Sequence, residues 1–252
     1  MICKLDKKNN TMTVINKKEF SKKSELGGTT IRSIIDFAYG MSFGQDGKHR
    51  ANRSGGTHIR KNGEIFVNVF QGKLSECAFY NLMFENIDEK YISKPDFAMY
   101  QLGDWDNVDF TIKEKKISIK SAKWFSNLLL LEKKDWNEKG QYIPNLNRST
   151  ASYDFFVLVR INPSCEQIFK RNKWLYSESL NKSDIIEALL RENWCYDSPG
   201  YITHDQLLYV IRNNHIIEKD TLLNGTVIMD ATNYYVQSGD LTDISRLIEN
   251  LK

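Results

Sequence analysis

The stretch DFTIKEKKISIKSAKW, residues 109–124, decides the fold because it reads as two strands that reverse over a charged turn. In its first half Phe110 and Ile112 alternate with polar residues, and in its second half Ile117 and Ile119 do the same. Because successive side chains of a strand point to opposite faces, each half has one apolar and one polar face. The pattern predicts a β-hairpin whose apolar face belongs to a core sheet.

The polar face of this hairpin carries a charged pair. If KEKK, residues 113–116, forms a four-residue loop, Asp109 lies opposite Lys120 and Thr111 lies opposite Ser118. Directly opposed residues project from the same face, with Cβ atoms about 4.5–5.5 Å apart. This register predicts a carboxylate beside an ammonium group. The alternative interpretation is a surface ion pair, which stabilises a protein by only about 0–1 kcal/mol.

The segments before the hairpin supply a further acid. EIFVNVFQ, residues 64–71, has the composition of a strand, and GKLSECAFYNLMFENI, residues 72–87, has the length and apolar content of a buried helix. Glu76 lies one turn inside that helix. A first-turn glutamate favours the helix dipole, but a carboxylate on a buried helix is also a candidate for chemistry.

The segments after the hairpin complete the predicted architecture. SYDFFVLVRINP, residues 152–163, predicts a strand buried on both faces. Helices are expected over residues 182–193, within 203–217 and at 241–252. We expect an α/β (α+β) fold with a central mixed sheet flanked by helices, in one domain over residues 1–252. That domain has a basic N-terminal region, residues 1–62, and a C-terminal helical and recognition part, about residues 182–252.

Composition sets the class of protein. With 252 residues, 41% of them hydrophobic, the chain can form a sizeable core. No apolar run approaches the roughly 20 residues that a membrane-spanning helix needs, and no secretory signal is visible, so a cytoplasmic location is expected. The four cysteines show no CxxC pair, which argues against zinc and against a disulfide framework.

Charge is unevenly distributed along the chain. Residues 1–62 contain thirteen Lys and Arg against five Asp and Glu, although the whole chain carries only +3. Residues 40–64 read as an exposed basic loop that could contact nucleic-acid phosphates or base edges. An ordinary solvated loop is the alternative. The candidate contacts are Arg50, Arg53, His58, Arg60 and Lys61.

Taken together, these residues resemble the core of the PD-(D/E)xK nuclease superfamily. In that family an Asp begins one strand of a hairpin, and an acid-x-Lys triplet lies on the next strand. Asp109 and Ser118-Ile119-Lys120 match this pattern, and Glu76 matches a helical glutamate of many members. Serine replaces the usual acid at 118, as in the Ser-x-Lys variant of some restriction endonucleases. The resemblance covers roughly residues 72–132, together with the buried strand at 152–161, and implies a restriction-endonuclease-like core.

The resemblance implies a role for each matching residue. Asp109, the carbonyl of Ile119 and Glu76 would hold Mg²⁺, and Lys120 would orient or deprotonate the attacking water. Ser118 would hydrogen-bond a metal-bound water.

Some of these assignments have alternatives within the chain. Glu132 is the alternative to Glu76, since Ser-x-Lys members recruit an acid from a neighbouring helix. The second choices for the acid assigned to Asp109 are Asp96, Asp104 and Asp106.

The expected activity is that of a sequence-specific type II restriction endonuclease that hydrolyses double-stranded DNA as a homodimer. Lys123 is expected to contact phosphates. Asn233 or Gln237 could read adenine, and the alternative is that residues 230–241 form a strand and turn near the end of the core. A structure-specific repair or recombination nuclease with the same core is one alternative. A catalytically inactive DNA-binding protein is another, because Ser118 lacks the charge of the usual acid.

Overall fold

The computed structural model describes residues 2–44, 60–97, 110–147 and 151–252. Within these ranges the chain forms six α-helices and twelve β-strands in a mixed α and β fold. The helices are α1 (Gly28–Ser42), α2 (Asn62–Phe84), α3 (Cys165–Arg171), α4 (Lys182–Leu190), α5 (His204–Arg212) and α6 (Ile244–Leu251). The strands are β1 (Asp6–Lys8), β2 (Thr11–Thr13), β3 (Ser24–Glu25), β4 (Phe110–Ile112), β5 (Lys115–Lys123), β6 (Leu128–Glu132), β7 (Phe155–Asn162), β8 (Cys195–Thr203), β9 (Ile216–Ile217), β10 (Leu222–Leu223), β11 (Val227–Ile228) and β12 (Asn233–Gln237).

A five-stranded mixed sheet forms the centre of the fold. Its order is β3-β8-β7-β5-β4, in which β5 and β7 run parallel and the other neighbours are antiparallel. Both faces of β7 are buried, which confirms the buried strand predicted over residues 152–163. Because β5 and β7 are parallel, their carboxyl ends lie at the same edge of the sheet. The segments that follow the two strands both leave the sheet at this edge.

Different elements pack on the two faces of the central sheet. On one face, five helices, α1, α2, α3, α4 and α6, surround a core that includes Ile117 and Val159. On the other face, α5 and a three-stranded sheet of order β6-β12-β9 pack on Phe156 and Leu158. A third small core, around Met12 and Tyr235, joins β2 to this second layer. The sheet is therefore a middle layer, with helices on one side and a smaller sheet with α5 on the other.

The first long apolar segment forms a single helix. Residues 64–71 belong to α2, so the strand predicted there is wrong, and the helix expected at 72–87 begins ten residues earlier and ends at Phe84. A short apolar run cannot be assigned to strand or helix by periodicity when every face is buried. Here Phe66, Phe70 and Leu74 are all buried in the helical layer, and this tertiary packing outweighs the strand preference of the valines.

The predicted hairpin exists, but its register is different. Strand β4 pairs antiparallel with β5, with Phe110 opposite Ile117 and Ile112 opposite Lys115. The loop therefore contains two residues rather than four, and Lys113 has a positive φ of 50°. The register differs from the predicted one by two residues. Because two is the period of a strand, the residues that were predicted to share a face still share it. The predicted Asp109–Lys120 opposition is nevertheless inconsistent with the pairing of Phe110–Ile112, and Asp109 itself lies outside the described residues.

The C-terminal elements join the same sheet as the hairpin. Helices α4, α5 and α6 lie within the three segments predicted to be helical, and α6 begins after an Asp243 cap. Strand β8 lies between β3 and β7, so the C-terminal part is integral to the central layer. None of the helices among the described residues is both long and apolar enough to cross a membrane.

Candidate functional site

A cleft of about 910 Å³ opens where β5 and β7 reach the edge of the central sheet. We call it the Lys120 cleft. One wall is formed by the end of β5, by α2 and by the start of α3, and the other by β6, the β10–β11 hairpin and the start of β12. The lining residues used below are Asn68, Gln71, Lys120, Ser121, Lys123, Glu132, Asp135, Glu166, Asp230 and Asn233.

Lys120 lines this cleft from β5. Its backbone is paired with Leu158 of β7, and its side chain is half-buried. The ammonium nitrogen lies 6.0 Å from the centroid of the Trp136 ring, at the limit of a cation–π contact. The strand thus holds a lysine with a defined direction at the open edge, as a reaction on an anionic substrate would need.

Hydrogen bonds join helix α2 to the strand that carries Lys120. Gln71 Nε2 donates to Ser121 Oγ and to the carbonyl oxygen of Ala122, both at 3.0 Å. Ser75 Oγ lies 2.6 Å from Ser121 Oγ, and Ser121 Oγ also donates to the carbonyl oxygen of Gln71 at 3.1 Å. These bonds fix the backbone next to Lys120 relative to the helix.

Acidic side chains lie on the opposite wall. Glu132 ends β6, is half-buried, and has Asn233 of β12 as its strand partner. Asp135 and Asp230 line the same cleft. Of Glu76 and Glu132, the two glutamates considered from the sequence, Glu132 is therefore the one that shares the cleft with Lys120.

Glu76 lies elsewhere on α2. Its Oε2 is 2.5 Å from the ammonium nitrogen of Lys73, which also donates to the carbonyl oxygen of Asp96 at 2.6 Å. Lys73 is buried, and its ammonium group lies 4.9 Å from the centroid of the Phe37 ring. Glu76 is not among the residues that line the Lys120 cleft, so the structure does not bring together these two predicted site residues.

The other two residues of the triplet are directed into the core. Ser118 is 1% exposed, and the side chain of Ile119 packs on the core shared with α2. Neither residue is among those that line the cleft. Lys120 is therefore the member of the triplet that reaches the open space.

The oxygen-rich lining suits a hard cation only in part. Among the described lining residues there are four carboxylates and three lysines, and no His or Cys, so the donors favour Mg²⁺ over zinc. The described residues contain no group of three or more His, Cys, Asp or Glu that could hold a metal ion. The structure thus offers carboxylates of suitable chemistry, and Asp109 lies outside the described residues.

Lys123 is engaged by a carboxylate. Its ammonium nitrogen lies 2.5 Å from Glu166 Oε2, and the ammonium nitrogen of Lys170 lies 2.5 Å from Glu166 Oε1. Burial acts to raise the pKa of Glu166, but the hydrogen bonds from the two lysines outweigh burial and lower this pKa below its usual value. Glu166 is thus a firmly ionised group on the cleft wall.

The residues predicted to bind DNA have different locations. Asn233 lines the cleft and donates its Nδ2 to the carbonyl oxygen of Ala231 at 2.8 Å. Arg60 is half-buried, and Lys61 pairs with Glu178 at 2.6 Å. Arg50, Arg53, His58, Asp104 and Asp106 lie outside the described residues.

Gln237 has a structural role that corrects its predicted one. It is fully buried, and its Oε1 accepts hydrogen bonds from the backbone N–H groups of Ile15 and Asn16 at 2.8 and 3.0 Å. Its Nε2 donates to the carbonyl oxygens of Cys3 and Lys4. An amide bonded to four backbone groups in the core is not placed to read a base.

Sequence reasoning missed Gln71, Asn68 and Glu166. The first two were assigned to a strand, although Asn68, Gln71 and Ser75 recur at helical spacing in an otherwise apolar run. That polar stripe was the signal for a helix with one face on a cleft. Glu166 has a local signal only in Lys170, four residues later, because its other partner, Lys123, comes from a distant strand.

Comparison of the chain with models of protein families, with curated proteins and with solved structures found no match in any of the three.

Proposed function

We propose that the protein is a metal-dependent endonuclease that cuts double-stranded DNA in the Lys120 cleft. The observation that carries the proposal is Lys120, held at the open edge of a mixed sheet with Glu132 in the same cleft. A lysine near carboxylates fits the hydrolysis of a phosphodiester, in which negative charge increases on the phosphoryl oxygens.

The order of elements supports a restriction-endonuclease-like core. A long buried helix, α2, precedes an antiparallel hairpin, and the second hairpin strand then pairs in parallel with β7. Asp109 directly precedes β4 in the sequence, and Ser118 directly follows Ile117, the partner of Phe110. The proposed active site includes Asp109 because the family resemblance assigns the acid to this position in the sequence.

Each residue of this chain has a stated task. Lys120 would orient the attacking water and stabilise the charge on the phosphoryl group. Gln71 and Ser121 would hold the strand so that Lys120 keeps its direction. Glu132 would replace the acid that Ser118 lacks, and Asp109 and Glu132 would hold Mg²⁺. When bound, the cation would lower the pKa of a water and polarise the phosphate.

The charge of the cleft explains why a cation would be required. The described lining residues carry one more carboxylate than lysine, so a DNA backbone entering the cleft meets no net positive charge from them. A divalent cation reverses that balance and makes the cleft attractive to phosphate. Phe125, which is 48% exposed at the rim, provides a surface on which a base can stack.

The test is incubation of the purified protein with phage genomic DNA in Mg²⁺ or in EDTA, analysed on a gel. Discrete fragments that require Mg²⁺ are expected from the wild type, and none from Lys120→Ala. Lys7→Ala removes an exposed lysine of β1 that does not line the cleft, and it should cut like the wild type.

Other outcomes separate the alternatives. A cut only at branched DNA would indicate a structure-specific repair nuclease. Tight duplex binding with intact DNA would indicate a binding protein. Discrete cutting would also predict two copies of the chain on a palindromic site, because protein symmetry mirrors that of the DNA.

A further inference from the structure

Glu166 lies between two lysines on the wall of the Lys120 cleft. One carboxylate oxygen takes the ammonium group of Lys123, from the end of β5, and the other takes that of Lys170, from the next turn of α3. Both distances are 2.5 Å. The two cations therefore converge from separate elements on one anionic group.

The same arrangement suits a DNA phosphate. A phosphodiester also presents two anionic oxygens, and lysines commonly bind them as point charges. Lys123 is on the same strand as Lys120, three residues further along, and both line the cleft. Because residues three apart on a strand project from opposite faces, Lys123 and Glu166 line a part of the cleft separate from Lys120, where another phosphate of the same DNA backbone would bind.

We propose that Lys123 and Lys170 form a phosphate-binding subsite, and that Glu166 occupies this subsite as an internal competitor in the absence of DNA. This inference rests on the proposed function, because the competing anion is the DNA of the Lys120 cleft. The lysines exchange a carboxylate for a phosphate on binding, so each new ion pair with DNA replaces an ion pair within the protein. Glu166 thereby weakens binding to any duplex.

The test is a substitution that should strengthen binding. Glu166→Gln removes the negative charge and keeps an oxygen that the lysines can still contact. In EDTA, we expect a short fluorescent duplex to bind about five- to twentyfold more tightly at about 0.1 M salt, with a steeper salt dependence because more phosphate contacts form. Adding Lys123→Gln to Glu166→Gln should abolish most of this increase in affinity.

The matched control is Glu187→Gln. Glu187 pairs with Arg191 one turn later on α4, as Glu166 does with Lys170 on α3, and it does not line the cleft. It makes the same change of net charge. An equal increase in affinity from both variants would attribute the effect to net charge and would overturn the subsite.

A second measurement separates this inference from the proposed nuclease activity. On phosphocellulose, Glu166→Gln should elute at higher salt than Glu187→Gln, whether or not the wild type cuts DNA. Co-elution of the two variants, both folded by circular dichroism, contradicts the subsite. A wild type that neither binds nor cuts DNA contradicts the proposed function, and the elution difference still decides the subsite.

Discussion

Arg160 and Asp197 form a two-bonded ion pair between β7 and β8 in the interior of the protein. Arg160 Nε lies 2.8 Å from Asp197 Oδ1, Nη2 lies 2.5 Å from Oδ2, and both residues are buried. The guanidinium also donates to the carbonyl oxygens of Lys18 and Glu19 at 2.8 and 3.0 Å. One side chain thus connects the central sheet to the N-terminal segment.

Asp197→Ala should destabilise the protein strongly. Removing one partner of a buried ion pair leaves an uncompensated charge, which costs about 3–5 kcal/mol of unfolding free energy. Urea unfolding followed by circular dichroism measures the change. Glu187→Ala breaks an exposed pair with Arg191 and should lie within about 1 kcal/mol of the wild type. A similar small loss at Asp197 would show that the buried pair is dispensable.

Gly200→Ala should also destabilise the protein, and Gly72→Ala should do the opposite. Gly200 has a φ of +146°, and a Cβ there would lie 2.1 Å from the carbonyl oxygen of Thr242, so we expect a loss of more than about 2 kcal/mol. Gly72 lies inside α2 with open space at its Cβ position, so alanine should stabilise the protein by about 0.5–1 kcal/mol. Thermal unfolding of the two variants tests whether the melting temperature falls in Gly200→Ala and rises in Gly72→Ala.

The thiols should differ in reactivity. Burial raises the pKa of Cys77 to about 12 and raises that of Cys165 well above its usual value, and Cys195 is also buried. Cys3 is exposed. We expect a thiol reagent such as DTNB to label about one cysteine at about pH 8 in the native protein and all four after denaturation. Rapid labelling of more than one native thiol would contradict this arrangement.

Stability should fall below neutral pH because of His215. This side chain is buried, and its Nδ1 has no hydrogen-bond partner among the described residues. Burial lowers the pKa of His215 below its usual 6.5, as does Lys4, while Asp240 acts in the opposite direction. The unfolded chain therefore binds the proton first as pH falls through about 6.5, so folding weakens from there until the lower native pKa is reached.

The measurement compares unfolding free energies of the wild type and His215→Gln between about pH 8 and about pH 5. The difference between the two proteins should shrink as the pH falls, because only the wild type loses the contribution of a neutral histidine. A constant difference would show that His215 does not titrate differently in the two states.

Under the proposed function, Glu132→Gln should lower the rate of DNA cleavage more than Glu76→Gln. Removal of a charged group at the reacting centre costs about 10²–10³-fold in rate, and Glu132 shares the cleft with Lys120. Glu76→Gln should mainly affect stability, since Glu76 pairs with the buried Lys73. The cleavage rate constants of the two variants, measured under single-turnover conditions, show which glutamate contributes more to the reaction. The reverse order would restore Glu76 as the acid of the site.

The hairpin and β7 could be predicted because their alternating or continuous apolar pattern depends on local sequence alone. The sequence also predicts which residues of β5 share a face, for the same reason. The register could not be predicted, because KEKK is compatible with loops of two or four residues, and only the pairing of Phe110 with Ile117 distinguishes them. The first part of α2 resembles a strand because most of its residues are apolar and buried, which leaves the polar stripe of Asn68, Gln71 and Ser75 as the helical signal.

The candidate site could be predicted in part. Lys120 was identified from its spacing, and Glu132 was named as an alternative, but its position in the cleft depends on β6 pairing with β12. The burial of Gln237 could not be predicted from local sequence. The N-terminal segment that buries its amide lies more than two hundred residues earlier in the sequence.

The hydrogen bond from the backbone of Ile15 to Gln237 joins residues that are 222 positions apart, and β2 pairs in parallel with β10, in which Leu222 is the partner of Thr11. On the ribosome, the N-terminal segment therefore emerges long before its partners are synthesised. Its apolar residues, such as Met12, therefore lack their packing partners until β10 and β12 have been synthesised. We expect this late closure to slow folding and to make truncated chains prone to aggregation.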